Sequence, residues 1–211
     1  MAFLSENMSK KVFFMGWFLS LVSFCLAAYL YQSEQDIGIH QFMVNFTPFL
    51  YIQNIWGFLS WLGEDHVQIL ICVFMGIFYY KRQNYALSRV WYSSIVIYLL
   101  SGLCVQILKH IIARPRPKML PEYDFTWLSF GAKWHSMPSG HTMTTFAWLA
   151  CVLPFYGLKI RLFLVVMASL IGFSRVGIGA HYLSDVLVGA VLGYVFGMVL
   201  REKFKLRKEI K

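Results

Sequence analysis

The sequence predicts an all-α polytopic membrane protein, a six-helix transmembrane bundle, on three observations. Of its 211 residues, 58% are hydrophobic and 18% aromatic, while only 14% are charged; a soluble domain of this length carries about a quarter charged residues. Several apolar runs approach the roughly 20 residues that a helix needs to cross a bilayer. The Lys and Arg residues fall in short loops between those runs. These features describe one integral membrane domain over residues 1–211, with no room for a separate soluble domain.

Each span follows from its apolar run. Val12–Tyr31 comes after Lys10 and Lys11, and its apolar core is longer than a secretory signal carries, so it reads as a retained helix. The second span runs from about Trp61 to Tyr80, the third from Trp91 to Leu108, and the fourth from His141 to Tyr156. Leu162–Phe173 is the fifth and is short, so it must borrow residues from its flanks. Leu183–Leu200 is the sixth. The stretch Gln41–Leu62 is rich in Phe, Ile, Leu and Trp but is broken by Asn45, Thr47, Pro48, Gln53 and Asn54. It either spans, making seven helices, or lies in the interface and leads into the second span.

Charge parity chooses between these. With six spans, Lys10, Lys11, Lys81, Arg82, Arg89, Lys159, Arg161, Arg201, Lys203, Lys205, Arg207, Lys208 and Lys211 share one side, 13 of the 19 Lys and Arg residues. Basic loops stay in the cytoplasm, so six spans with both termini cytoplasmic is the expected topology. The formal charge of +9 then reports orientation, and no nucleic-acid partner is implied; the partner is the bilayer. The remaining Lys109, Arg114, Arg116, Lys118, Lys133 and Arg175 sit on the side the rule depletes, and all six histidines fall there too.

Three segments concentrate chemistry on that outer face. Lys109 to Pro117 leaves the third span, Pro138-Ser139-Gly140-His141 opens the fourth, and Ser174-Arg175 with His181 and Asp185 joins the fifth to the sixth. Lys109, Arg116 and Arg175 can surround a phosphoryl group and neutralise its oxygens during transfer. Arginine does so with forked hydrogen bonds, lysine more as a point charge. The first N–H groups of the helix after Pro138-Ser139-Gly140 can hold an anion, and Gly140 allows close approach. His181 and Asp185 are four apart, neighbours on one helical face, so the carboxylate can orient the imidazole and support its positive charge. His181 is the candidate nucleophile and His141 the candidate acid and base.

Lys-x6-Arg-Pro, Pro-Ser-Gly-His and Ser-Arg-x5-His-x3-Asp, in that order from Lys109 to Asp185, resemble the type 2 phosphatidic acid phosphatase family, and the helices fit its membrane branch. The resemblance implies a metal-independent phosphatase of lipid phosphates, with no cofactor. It implies that Lys109, Arg116, Ser139, Gly140 and Arg175 bind phosphate, that His181 is the nucleophile, His141 the acid and base, and Asp185 its partner. Met137 is one departure, where many relatives carry Phe. The implied partner is a phosphorylated membrane lipid. Undecaprenyl diphosphate leads, with lipid A, phosphatidylglycerol phosphate and phosphatidic acid as alternatives, and transfer to a second lipid is a close rival to hydrolysis. A transporter is a rival from another class, but charges at span ends and the lack of a repeated half argue against it. Size and the outer site point to a bacterial inner membrane, with the site facing the periplasm.

Other residues carry plainer expectations. His40, His66, His110 and His135 have no assigned role. Arg114 and Lys118 read as interfacial anchors, with supporting contacts to phosphate as the lesser alternative. Asp185 could serve only as a helix-dipole partner. Phe125, Trp127, Phe130 and Trp134 read as an interfacial aromatic belt, or less simply as a surface shaping substrate entry. Cys25, Cys72, Cys104 and Cys151 all fall in apolar runs and read as buried apolar residues, not disulfide or zinc ligands. Gly189, Gly193 and Gly197 suit close helix packing within the chain or a dimer contact, which leaves the oligomeric state open.

Overall fold

The apolar runs resolve into helices throughout. The computed structural model describes residues 2–46, 50–119 and 128–206, and among them are eight α-helices, three short 3-10 turns and no strand. The helices are α1 (Ala2–Gln32), α2 (Gln35–Phe46), α3 (Leu50–Leu62), α4 (Asp65–Lys81), α5 (Tyr85–Ile112), α6 (Gly140–Val152), α7 (Leu158–Gly177) and α8 (Leu183–Lys203). The expectations placed on Thr47, Pro48, Phe125, Trp127, Arg207, Lys208 and Lys211 lie outside the described residues, as do those on the side chains of Lys10 and Lys11.

Local chemistry explains the main boundaries. Asn84 caps α5 by accepting a hydrogen bond from the Leu87 N–H at 3.1 Å, the usual role of an Asn before a helix. That helix ends where Ala113 turns left-handed at φ 44°, and Pro115 and Pro117 cannot continue it. The short fifth span borrows four residues at each end to become the 20-residue α7. The second span begins at Asp65 rather than Trp61, because the chain breaks at Gly63-Glu64 and α3 and α4 meet there at a 56° bend.

Four helical segments are long and apolar enough to cross a membrane: Phe14–Gln32, Tyr85–Met119, Leu158–Gly177 and Leu183–Lys203. The bent pair Tyr51–Leu62 and Asp65–Lys81 makes a fifth if it counts as one broken span. The expected count of six is therefore reduced to four or five by length and composition. The helix that falls short is α6, with 13 residues, about 20 Å long. Its surroundings give the reason: ten of those residues, from Thr142 to Val152, are buried. A helix enclosed by protein needs neither the length nor the apolar girth of one facing lipid. The apolar side chains that are exposed, such as Phe18 and Leu21 of α1, Phe74 of α4, Leu103 of α5 and Phe163 of α7, form an outer coat instead.

The glycine stripe accounts for how closely α6 and α8 pack. A Cβ on Gly193 would lie 2.1 Å from the Met143 carbonyl oxygen, one on Gly197 2.2 Å from that of Ala147, and one on Gly189 2.9 Å from that of Ser139. The three glycines thus seat one helix backbone on another inside the chain. Cys72 and Cys151 are buried as expected, Cys104 partly so, but Cys25 is exposed on the outer surface of α1.

Side-chain contacts sort the helix ends into two groups. At one end Arg161 donates to the Tyr156 carbonyl (2.8 Å), Arg201 to that of Ala150 (3.1 Å) and Arg89 to that of Phe204 (3.2 Å), so the α4–α5 and α6–α7 loops and the tail lie together. At the other end meet the last turns of α1, α5 and α7 and the first turns of α4, α6 and α8. The doubtful stretch resolves here into α2 and α3. The longer segment that contains it begins beside Arg114, where Asp36 near the start of α2 pairs with it at 2.9 Å, and finishes just past α3 at Glu64, 3.2 Å from His141. Both its ends lie at the same end of the bundle.

Candidate active site

The second group of helix ends encloses a cavity of about 410 Å³, lined on one side by Lys109, Arg116, Gly140, His141, Arg175 and His181. Six of the eight residues predicted from sequence therefore share one surface. The other two stand directly behind it. Ser139 is fully buried, its N–H donating to the Asp185 carbonyl at 3.0 Å and its Oγ accepting from Thr142 at 2.9 Å. Asp185 is also fully buried, with Oδ2 3.5 Å from His181 Nδ1.

Each cation reaches the cavity by a different route. Lys109 comes from the last turn of α5 and is buried; its Nζ would lie 3.4 Å from a Cβ on Gly140, which sets the ammonium against the opening of α6. Arg116 follows the left-handed turn at Ala113, on a strand-like run in which the Arg116 N–H donates to the Lys133 carbonyl (2.9 Å) and the Ser136 N–H to that of Arg114 (3.1 Å). Arg175 sits in the last turn of α7 and donates to Ser60 Oγ on α3. The N–H groups of the first turn of α6 have no acceptor within that helix. Three fixed cations and a helix N-terminus thus converge on one space, an arrangement suited to a dianionic group.

His181 lies in the link between α7 and α8 and is 2% exposed. Burial pushes its imidazole down to about 4, helped by Lys109 and Arg175 and opposed by Asp185. The ring is consequently neutral at physiological pH, and with Nδ1 turned toward Asp185 the other nitrogen is left with its lone pair. Asp185 does two things at once. Its Oδ2 accepts from the Tyr182 N–H at 3.0 Å, closing the first turn of α8 in a capping box, and from Ser136 Oγ at 2.6 Å. The helix-terminus reading and the histidine-partner reading are therefore both satisfied by one carboxylate.

Arg114 is corrected by the structure. It is no interfacial anchor: its side chain is 2% exposed, and it donates to Asp185 Oδ1 (2.7 Å), Asp36 Oδ2 (2.9 Å) and Ser184 Oγ (2.6 Å). Its guanidinium carbon lies 4.2 Å from the Tyr182 ring centroid. Lys118 is exposed and lines a separate cavity with His40. The rings of His110 and His135 meet at a tilt of 57°, centroids 4.4 Å apart, with the Phe130 ring 5.2 Å from His110.

Several residues at the site carried no expectation. Glu64 stands 3.2 Å from His141 Nε2; Asp65 accepts from the Tyr98 hydroxyl at 2.8 Å, and both line the cavity. Leu99, Leu103 and Gln106, exposed on α5, complete that wall, so the cavity opens on the flank of the bundle. Asp36, Glu64 and Asp65 belong to a chain with only ten acidic residues. Their position beside apolar runs is the signal that marks them.

A lipid A 1-phosphatase of Rhizobium etli is 34% identical over 149 residues, covering 62% of each protein, so the chain spans less than two thirds of that relative's length. An undecaprenyl-diphosphatase of Sulfolobus acidocaldarius is 24% identical over 182 residues, covering 84% of this chain and 85% of that one. The crystal structure of the transmembrane PAP2-type phosphatidylglycerolphosphate phosphatase of Bacillus subtilis shares the fold, with a TM-score of 0.71 over 93% of this chain and 98% of that one, at 21% identity. Residues 90–208, more than half of the sequence and the whole motif-bearing segment, match the PAP2 superfamily, and the chain belongs to that superfamily.

Proposed function

We propose that this chain is an integral membrane phosphatase, one domain over residues 1–211, that removes phosphate from a membrane lipid through a phosphohistidine at His181. The observation that carries this reading is the single cavity shared by a neutral, carboxylate-backed His181, by His141 and by three cations. In the first step the free nitrogen of His181 attacks phosphorus and the bond to the lipid oxygen breaks. His141, protonated, gives its proton to that departing oxygen. Lys109, Arg116 and Arg175 neutralise the phosphoryl oxygens throughout, and Asp185 supports the charge gained by the imidazole. In the second step water gives a proton to His141 and attacks the phosphohistidine. Inorganic phosphate leaves, and His181 returns to its neutral form.

The alternation of helix ends supports six crossings by α1, α4, α5, α6, α7 and α8, with α2 and α3 folded back over the site. The basic loops at the opposite end support a topology with both termini in the cytoplasm and the site on the outer face. A bacterial inner membrane, with the site toward the periplasm, fits that orientation. Similarity to a lipid A 1-phosphatase favours the phosphate of a lipid A-like glycolipid as substrate. The longer alignment with an undecaprenyl-diphosphatase supports a carrier diphosphate as the second reading.

The experiment is phosphate release by purified protein in detergent with EDTA present. Lipid A, undecaprenyl diphosphate and phosphatidylglycerol phosphate should be compared by initial rate. Wild-type protein should release phosphate without added metal, and His181→Ala should lose at least about a thousandfold in rate, the scale on which loss of a nucleophile is felt. Full activity in His181→Ala would end the mechanism, and equal rates on all three lipids would end the claim of a dedicated substrate.

A further inference from the structure

Arg114 is a buried cation that the proposed chemistry does not use, and its partners are unusual. It bridges two carboxylates, Asp185 behind His181 and Asp36 on α2, a helix that precedes the matched segment 90–208 altogether. Asp36 is fully buried as well. Its Oδ1 accepts from the Ser184 N–H at 3.1 Å and its Oδ2 from the Ser184 hydroxyl, so it also caps the first turn of α8 from outside that helix.

We propose that Asp36 is a positioning residue for the His181–Asp185 pair, acting through Arg114. The inference rests on the phosphohistidine reading above for its consequence, though its geometry stands apart from it.

Two physical effects carry it. The first is orientation. Arg114 holds Asp185 Oδ1, while Tyr182 N–H and Ser136 hold Oδ2; the carboxylate plane is thereby set, with Oδ2 facing His181. Arg114 is in turn set by Asp36, because a guanidinium fork aligns with the carboxylates at its two nitrogens. The second effect is charge. Arg114 alone beside Asp185 would form a neutral buried pair, leaving little field to support a positive imidazole. Asp36 restores one negative charge to the cluster. That charge is matched when His181 becomes cationic on taking the phosphoryl group. Arg114 is also stacked on Tyr182, next in sequence to His181, so any shift of the guanidinium moves the segment that carries the nucleophile.

The test is a double-mutant cycle on kcat and KM with Asp36→Asn, Arg114→Lys and the double variant, in detergent with EDTA. Each single variant should lose at least about tenfold in kcat with KM within about twofold, the size typical for an outer partner of a reacting group. The double variant should lose little more than the worse single variant, because the two act as one unit. Either single variant with wild-type kcat would overturn the proposal, as would losses that multiply in the double variant. Should Asp36→Asn fail to fold, Arg114→Lys alone decides by the same kcat and KM criterion. The His181 ring, followed by nitrogen NMR in the resting protein, separates this inference from the reading beneath it. Its titration should move to lower pH in Asp36→Asn, with Lys109 and Arg175 still present. An unmoved titration counts against Asp36 whether or not the wild type proves to be a phosphatase.

Discussion

At the scale of the residue, the site is governed by what burial does to an imidazole. A histidine must be unprotonated to attack phosphorus, and an ordinary one, with a pKa of about 6.5, is part-protonated at neutral pH. The enclosure of His181 lowers that value to about 4. Because the folded value is depressed, the ring is neutral from pH 5 to 8, the form that the proposed attack requires. Ring nitrogen shifts of His181 in the resting protein should therefore stay those of a neutral imidazole down to pH 5. A titration midpoint near 6.5 would contradict the buried geometry. Arg114 teaches the complementary lesson. A cation this deeply buried is tolerable only because two carboxylates and a serine hydroxyl accept its hydrogen bonds.

At the scale of the element, α6 and α8 decide where the chemistry sits. Pro138-Ser139-Gly140-His141 opens one helix and Asp185 closes the first turn of the other, and the glycine stripe holds these helices in backbone contact. Ser139 N–H donates to the Asp185 carbonyl, so the two motifs are joined where the helices begin. Gly193→Ala would place a methyl group 2.1 Å from the Met143 carbonyl, against backbone that cannot yield. Roughly 1–3 kcal/mol of stability should be lost, as in other overpacked interiors, with a lower thermal midpoint in detergent. Gly38→Ala, where nothing lies within 4 Å of the new Cβ, is the control and should be neutral or slightly stabilising in the α2 helix. Equal midpoints for the two variants would refute the packing account.

At the scale of the whole molecule, polarity is arranged along the bundle. One end carries the basic loops and the other carries the cavity, with exposed apolar side chains between them. The proposed orientation predicts labelling by a membrane-impermeant maleimide on intact cells. In a background without native cysteines, Phe130→Cys, 79% exposed near the cavity end, should react. Gly157→Cys, at the basic end in open space, should react only after the membrane is permeabilised. The reverse pattern would invert the topology.

What was legible in the sequence was whatever depends on short spacings and on composition. The apolar runs marked α1, α5, α7 and α8, because a lipid-facing helix must be apolar along its length. Four-residue spacing paired His181 with Asp185, and the ordered motifs marked Lys109, Arg116, Gly140, His141 and Arg175, which share one surface, and Ser139 behind it. Length and apolarity alone do not mark α6 as a span, since a helix wrapped by its neighbours is released from the length rule, and composition misread Arg114 as a surface anchor. Asp36, Glu64 and Ser60 escaped notice because their partners lie far along the chain, 78 residues away for Asp36 and Arg114. The sequence by itself determined the superfamily and the helical membrane architecture, through residue types, ordered motifs and local periodicity. Only the tertiary structure decided which carboxylate faces which cation, because that depends on how α2 and α3 fold back over the helix ends, and no local spacing encodes it.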